Sequence, residues 1–276
     1  MSRLAVVIPL YNHRAYIARA IRSALEQDPA PDRVIVVDDG SSDGSAEAVL
    51  AMGETLVELH RQENAGAHVA LNRASARAAG HEFVAILNSD DFYLPGRFAR
   101  CLGALAADPR LGFVCTGLRL VGPDDAALPA AEPRARWFRA VWEMAAADLP
   151  LPEKLGMANF PATTSNFLGR TEWFRARPFR PYRYAHDYYA LAEAAIEGRL
   201  AILPEVLLAY RVHPANTINT RPRPLTEEML RVNVDLCREL APRLAGESAL
   251  RERFAQYQRG TWSNMSAHRR DVLETL

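Results

Sequence analysis

The chain reads as an α/β protein: a mainly parallel sheet flanked by helices, followed by a C-terminal helical extension. Three observations predict this. Over residues 1–110, short apolar runs alternate with segments of helical spacing, the pattern of a parallel sheet built with right-handed crossovers. Two of the apolar runs stop on carboxylates, at Asp38-Asp39 and Asp90-Asp91, and Asp187 opens a later helix. Ligands of open α/β sheets bind at that carboxyl edge of the strands. Beyond residue 216, apolar residues fall at helical spacing in two stretches.

The elements follow in order. Residues 4–8 are a buried-strand run closed by Pro9. Residues 14–27 place Ile17, Ala20, Ile21, Ala24 and Leu25 on one helical face, and Asp28-Pro29 ends that helix. Residues 33–37 form a second strand, and the turn 40–45 leads into a short helix to Met52. A third strand covers 55–60, a helix 67–79 stopped by Gly80, a fourth strand 83–87, and a helix 95–107 with Pro95 near its start. Residues 111–120 read as a strand, 122–133 as a loop, 134–147 as a helix and the proline-bearing 149–162 as irregular chain. A short strand is expected over 163–169, a helix over 188–197, strands over 200–203 and 206–212, and tail helices from 225 to about 240 and 248 to about 262. The organisation expected is a domain over 1–215, divided into halves at 1–120 and 121–215, then a helical extension over 216–276.

Composition is that of a globular protein, 49% hydrophobic and 24% charged over 276 residues. Formal net charge is zero, so nothing indicates general affinity for nucleic acid or anionic membrane. Lys154 is the only lysine, which leaves cationic work to Arg, whose planar fork suits phosphate. Cys101, Cys115 and Cys237 are few and widely spaced, without a disulfide framework or CxxC metal pattern, as in a reducing cytoplasm. No apolar run approaches the ~20 residues of a bilayer span, and no secretory signal opens the chain. The GxGxxG and Walker A loops are both absent.

The acidic strand ends suggest chemistry directly. A carboxylate there can accept a hydrogen bond from the imide of a base or from a ribose hydroxyl; it can also cap the next turn. A diphosphate with its divalent cation needs at least one fixed carboxylate, because hard cations take oxygen ligands. Asp187 could take a proton from an acceptor hydroxyl or serve as a helix cap.

Four motifs then occur in register: Val7-Ile8-Pro9-Leu10-Tyr11-Asn12, Val36-Val37-Asp38-Asp39-Gly40-Ser41-Ser42-Asp43-Gly44, Asn64-x-Gly66, and Asn88-Ser89-Asp90-Asp91-x-x-x-Pro95. Together they resemble the signature of family 2 glycosyltransferases of the GT-A fold, strongly over about residues 4–120 and more weakly to about 215. The resemblance implies an inverting transferase that uses a nucleotide-diphosphate sugar, UDP-linked first of all, with Mn²⁺ or Mg²⁺. It implies a nucleotide site at Pro9, Leu10, Tyr11, Asn12, Asp38, Asp39, Asn64, Gly66, Arg73, Asn88 and Ser89, with Asp39 on the base and Tyr11 stacked against it. It implies metal ligands Asp90, Asp91 and His213, the last from Tyr210-Arg211-x-His213-x-x-Asn216-Thr217, with Arg211 on the leaving diphosphate. Asp187 falls at the catalytic base, and Thr164, Ser165 and His186 at the acceptor. Two positions depart from the family pattern: Asn88 stands where the metal motif opens with Asp, and His186 where a Glu precedes the base. The first removes a charge near the metal, and the second bears on how the base is oriented.

The acceptor is expected to be a saccharide or lipid-linked saccharide in bacterial cell-surface polysaccharide or glycoconjugate synthesis. The expected place of work is the cytoplasm, or the inner membrane face for a lipid-linked acceptor. The apolar tail positions Leu225, Met229, Leu236, Leu240, Leu250, Phe254 and Tyr257 would pack back on the domain or form a homodimer. The alternatives are a sugar-1-phosphate nucleotidyltransferase, for which residues 9–12 lack the Gly-rich basic loop, and a non-catalytic nucleotide-binding relic.

Overall fold

The computed structural model describes residues 3–216 and 222–275, the side chains of 222–226 and 265–275 excepted. Thr217 and the Leu225 side chain, both named above, lie outside the described residues. Strands are β1 (Leu4–Leu10), β2 (Arg33–Asp38), β3 (Val57–Arg61), β4 (Phe83–Ile86), β5 (Phe92–Tyr93), β6 (Phe113–Val121), β7 (Leu168–Arg170) and β8 (Leu200–Arg211). Helices are α1 (Ile17–Leu25), α2 (Ser45–Leu50), α3 (Ala67–Arg77), α4 (Arg97–Ala107), α5 (Pro133–Ala145), α6 (Leu151–Met157), α7 (Thr171–Ala176), α8 (His186–Glu197), α9 (Pro222–Leu244) and α10 (Ser248–Thr275).

One eight-stranded sheet runs β3-β2-β1-β4-β7-β6-β8-β5. The β3-β2-β1-β4 block and the β6-β8 pair are parallel, whereas β7 runs antiparallel between β4 and β6, and β5 antiparallel on β8. The central strands β1, β2 and β4 are apolar through their middles because both faces are covered. Val6, Ile8, Val34 and Val36 meet Ile17, Ile21 and Phe98 on one face, while Ala5, Val7, Ile35 and Val37 meet Ala70, Leu71 and Ala74 on the other. Parallel strands in register bring Leu10 beside Asp38, so the β1, β2 and β4 loops emerge together along one sheet edge.

Several elements differ from expectation. Residues 149–162 contain α6, because Pro150 and Pro152 sit at its start, where a missing N–H costs nothing. Residues 163–169 split into a 3₁₀ turn at Thr164–Asn166 and the short β7. β5 and α7 were not anticipated. The two strands expected over 200–212 are one, with the irregularity taken up in the register against β6 near Thr116 and Gly117.

The tail folds onto the domain. Leu236, Leu240, Leu250 and Tyr257 are buried with Tyr182, Tyr188, Tyr189 and Ile196, and Met229 and Phe254 pack against them. The described part of the apolar tail face therefore packs back on the domain, one of the two roles expected for it. Close helix crossing depends on small residues: a Cβ on Gly156 or Gly260 would overlap the α10 or α6 backbone. Among the described residues, no helix is long and apolar enough to cross a membrane.

Candidate active site

The first part of the site is the edge of β1, β2 and β3. Asn12, in the left-handed region at φ 53°, donates its backbone N–H to Ser41 Oγ (2.9 Å) and accepts from the Ser42 N–H (2.8 Å). These bonds tie the β1 loop to the β2 loop. Asp38 accepts from the Ser41 N–H (3.1 Å) and faces Arg61. Asp39, buried, accepts from Gln62 Nε2 (2.6 Å) and the backbone N–H groups of Ala65 (2.8 Å) and Gly66 (2.9 Å). It thereby pulls the loop after β3 over the edge. Two glycines make this approach feasible. Gly40 has φ +80° and a Cβ there would lie 3.0 Å from the Asn64 nitrogen; Gly66 has φ +94°. Arg73 donates to Gln62 Oε1 (2.7 Å), which extends the chain Asp39–Gln62–Arg73 to the surface. Pro9 and Leu10 end β1, and Tyr11 leaves its ring half exposed beside them.

The second part follows β4. Asn88 is enclosed by the 163–165 turn: its Nδ2 donates to Thr163 Oγ1 (2.9 Å), its Oδ1 accepts from Thr164 Oγ1 (2.9 Å), and its N–H donates to Ser165 Oγ (2.9 Å). Ser165 in turn donates to Asp91 Oδ2 (2.5 Å), whose Oδ1 accepts from the Arg211 N–H (2.8 Å). Burial, then the charge of Asp90, push the Asp91 carboxyl well above the usual carboxylate range. Beneath this turn the buried Arg97 donates to Thr116 Oγ1 (2.5 Å) and to the Asn166 carbonyl (2.8 Å).

Asp90 points elsewhere. Its Oδ2 is 3.1 Å from His213 Nε2 and accepts weakly from Asn216 Nδ2 (3.3 Å). His13, from the β1 loop, completes a cluster with Asp90 and His213 in which one ligand atom from each lies within 4.8 Å of the others. Its Nδ1 is 2.8 Å from Ser89 Oγ. Burial pushes the His13 imidazole below its ordinary value despite the pull of Asp90. Burial also acts to raise the Asp90 carboxyl, but the hydrogen bond to His213 and the two imidazoles outweigh it and hold the carboxyl below the usual range. A groove lined by Asn12, His13, Arg14, Ala15, Tyr16 and Asp43 opens beside the cluster.

The third part is the start of α8. Asp187 lies in the first turn, one residue inside the Ala185–His186 boundary, and is buried. Its Oδ1 accepts from the Tyr188 N–H (2.7 Å) and its Oδ2 from Asn159 Nδ2 (3.2 Å). Burial raises its carboxyl above the ordinary value, against His186 and these hydrogen bonds. His186 packs edge-on against Phe179, and burial lowers its imidazole. Tyr210, at the end of β8, connects the parts: burial raises its phenol first, and then the charges of Asp91, Asp90 and Asp187 raise it further. One tyrosine thus senses carboxylates from β4 and α8 together.

A largely parallel sheet with acidic strand ends and a buried carboxylate at the start of α8 is accompanied by a clear family match in sequence. The sequence model described as Glycosyl transferase family 2 covers residues 5–183. The chain belongs to glycosyltransferase family 2. An uncharacterized glycosyltransferase of Rickettsia typhi is 28% identical over 232 residues, 81% of this chain and 68% of that protein. The succinoglycan biosynthesis protein ExoU of Rhizobium meliloti is 32% identical over 127 residues, 45% of this chain and 35% of ExoU. Residues 1–349 of S. aureus TarS, solved with UDP-GlcNAc, superpose with a TM-score of 0.67 at 17% identity, covering 95% of this chain and 73% of that one; the GT-A-like fold is shared. Against the longer TarS structure the chain covers 40% of the other protein.

In this family 2 glycosyltransferase, three residues expected in the site have their polar atoms engaged within the fold. Arg211, expected on the leaving diphosphate, is buried, with its Nε and Nη1 donating to the carbonyls of Asp90, Gly122 and Pro123 and its Nη2 paired with Asp125. A guanidinium so engaged clamps the Asp90 loop to the turn after β6. Asp91, expected at the metal, has both oxygens committed to Ser165 and Arg211. Ser165, expected at the acceptor, is fully buried between Asn88 and Asp91, while Thr164 lines the Asn88 side of the same turn. His13 was missed. Its only signal was its place directly after Tyr11-Asn12 at the end of a strand.

Proposed function

We propose that the chain transfers a sugar from a UDP-linked donor to a hydroxyl of a saccharide or lipid-linked saccharide, with inversion at the anomeric carbon. The supporting observation is a family 2 chain whose β4 loop presents Asp90 beside His13 and His213 and whose helix α8 begins with the buried Asp187: one carboxylate belongs to the loop that would hold a diphosphate, the other to the helix that would meet an acceptor. A crystal neighbour in fold, TarS, was solved with UDP-GlcNAc and with UDP, and ExoU is named for succinoglycan biosynthesis. Both support a nucleotide-sugar donor and a role in polysaccharide assembly.

In this reading residues 1–120 hold the nucleotide. Asp39 receives the base imide by exchange with the Gln62 amide, and the exposed ring of Tyr11 stacks on the base. The loop bearing Asn64, Gly66 and Arg73 closes the pocket, and Asn88 and Ser89 stand toward the ribose. Residues 121–215 hold the acceptor. Asp187 takes the proton from the attacking hydroxyl as its oxygen bonds to the anomeric carbon and the nucleoside diphosphate leaves from the opposite face. A carboxyl raised by burial is a stronger base than a solvated one. The donor set of one carboxylate and imidazole fits a divalent cation. Held by Asp90 and His213, such an ion would supply charge neutralisation for the departing diphosphate. The three cysteines, all free, fit work in a reducing cytoplasm, at the inner membrane face where the acceptor is lipid-linked.

The test is a screen of UDP-sugars and hydroxyl acceptors with Mn²⁺, in which NMR reads the anomeric configuration of the product. Release of UDP together with an inverted glycoside is expected. A retained configuration would exclude this role for Asp187, and no transfer with any donor that binds would favour a nucleotide-binding relic.

A further inference from the structure

The metal part of the proposed function names Asp90 and His213, and the present inference rests on it. We infer that His13 is a third ligand, so that the ion sits between two imidazoles and one carboxylate, and that this donor set selects Mn²⁺ or Co²⁺ over Mg²⁺.

Three observations carry it. First, the ligand atoms of His13, Asp90 and His213 fall within 4.8 Å of one another, although the residues come from the β1 loop, the β4 loop and the chain after β8. Second, each member is oriented by a neighbour. Ser89 Oγ lies 2.8 Å from His13 Nδ1, which leaves Nε2 as the nitrogen free to bind, the usual way an outer partner fixes a ligating imidazole. His213 is set by ring contacts, with Tyr16 at 5.1 Å and His13 at 5.5 Å between centroids. Asp90 is held because Arg211 Nε donates to its carbonyl at 2.7 Å. Third, the adjacent Asp91 has both oxygens occupied by Ser165 and the Arg211 N–H. A second carboxylate, the group that would favour Mg²⁺, is therefore turned away from the cluster.

The chemistry follows from ligand type. Mg²⁺ prefers oxygen and keeps its water, whereas imidazole raises affinity for transition ions along Mn²⁺ < Co²⁺. With UDP saturating, calorimetry on the full chain should show Mn²⁺ binding at least about tenfold tighter than Mg²⁺, with Co²⁺ tighter still. Pulsed EPR of the bound Mn²⁺ should show coupling to two imidazole nitrogens. His13→Gln keeps a polar side chain of similar reach without an imidazole. It should remove one nitrogen coupling and weaken Mn²⁺ by roughly 10–100-fold, with Mg²⁺ changed by less than about threefold.

A single nitrogen in the parent, or two in His13→Gln, would remove His13 while leaving the Asp90–His213 site standing. Failure of the parent to bind Mn²⁺ with UDP would overturn the metal reading as a whole, and His13 with it. The parent spectrum needs no variant, so the inference remains testable if His13→Gln does not fold.

Discussion

Asp187→Asn tests the proposed base apart from its place in the first turn of α8. The substitution preserves size, and an amide oxygen can still accept from the Tyr188 N–H that Asp187 Oδ1 holds at 2.7 Å. What is lost is the ability to take a proton. Removal of a general base typically costs roughly 10²–10⁴ in rate, which is about 2.7–5.4 kcal/mol of barrier at about 1.36 kcal/mol per decade. Stability should move the other way. The Asp187 carboxyl is raised in the folded protein, chiefly by burial, so its protonated form is favoured by folding. That contribution is complete below the unfolded pKa and is lost as pH rises through the folded one. Once the carboxyl is ionised, the native protein carries an unfavourable buried charge that the amide removes, and there the variant should melt at the same temperature or higher. The pH profile provides a second reading. The acid limb of kcat/KM in the parent should lie above the ordinary carboxylate range, because the base must be ionised to act, and this limb should vanish in the variant. The assay is initial transfer rate across pH 4–9, with UDP-sugar affinity by calorimetry alongside. Near-normal transfer would refute the assignment of the base. Loss of donor binding together with a lower melting temperature would show that Asp187 is a structural cap.

Other outcomes follow from the same geometry. Asp39→Ala should weaken UDP by about tenfold or more and change turnover at saturation less, since the Gln62, Ala65 and Gly66 donors lose their common acceptor; equal affinities by calorimetry would take Asp39 out of the nucleotide site. Arg211→Ala should lower stability by more than about 3 kcal/mol, because it leaves the buried carbonyls of Asp90 and Gly122 without donors; a denaturant melt at parental midpoint would show that the clamp is dispensable. Glu193 is raised to about 7, first by burial and then by Glu197, against Arg177 and Arg180, with Glu239 also facing it. Its contribution to stability is present below about pH 4.5 and disappears as pH climbs through about 7. Glu193→Gln should therefore melt several degrees above the parent at pH 8 and level with it at pH 5, where 1 kcal/mol is worth about 2–4 °C for a chain of this size; a constant difference across pH would count against the buried charge.

The candidate site was only partly legible in the sequence, and the boundary has a physical cause. Local chemistry marks elements. Apolar runs such as residues 4–8 and 34–37 must be strands covered on both faces, and a run that stops on Asp38-Asp39 or Asp90-Asp91 must place carboxylates at the sheet edge. Those features, with the turn glycines at Gly40 and Gly66, determined the α/β order, the family and the positions of Asp39, Asp90 and Asp187. The same local chemistry hides α6, because its prolines at the first turn look like breakers until the chain after them is seen to continue as helix. What a side chain faces is settled by partners far away in sequence. Asp90 and Asp91 are adjacent, yet Asp90 turns to His213 after β8, while Asp91 is held between Ser165 in the turn before β7 and the Arg211 N–H at the end of β8. Arg211 clamps the β4 loop to the turn after β6 because that turn presents carbonyls to it. His13 becomes a candidate ligand only when β1 and β8 are folded to the same edge, some 200 residues apart in sequence. Periodicity and turn chemistry act over a few residues and were sufficient for the framework. The grouping of His13, Asp90 and His213, the buried Asp91 and the covered C-terminal face depend on contacts between elements, which only the packed structure decides.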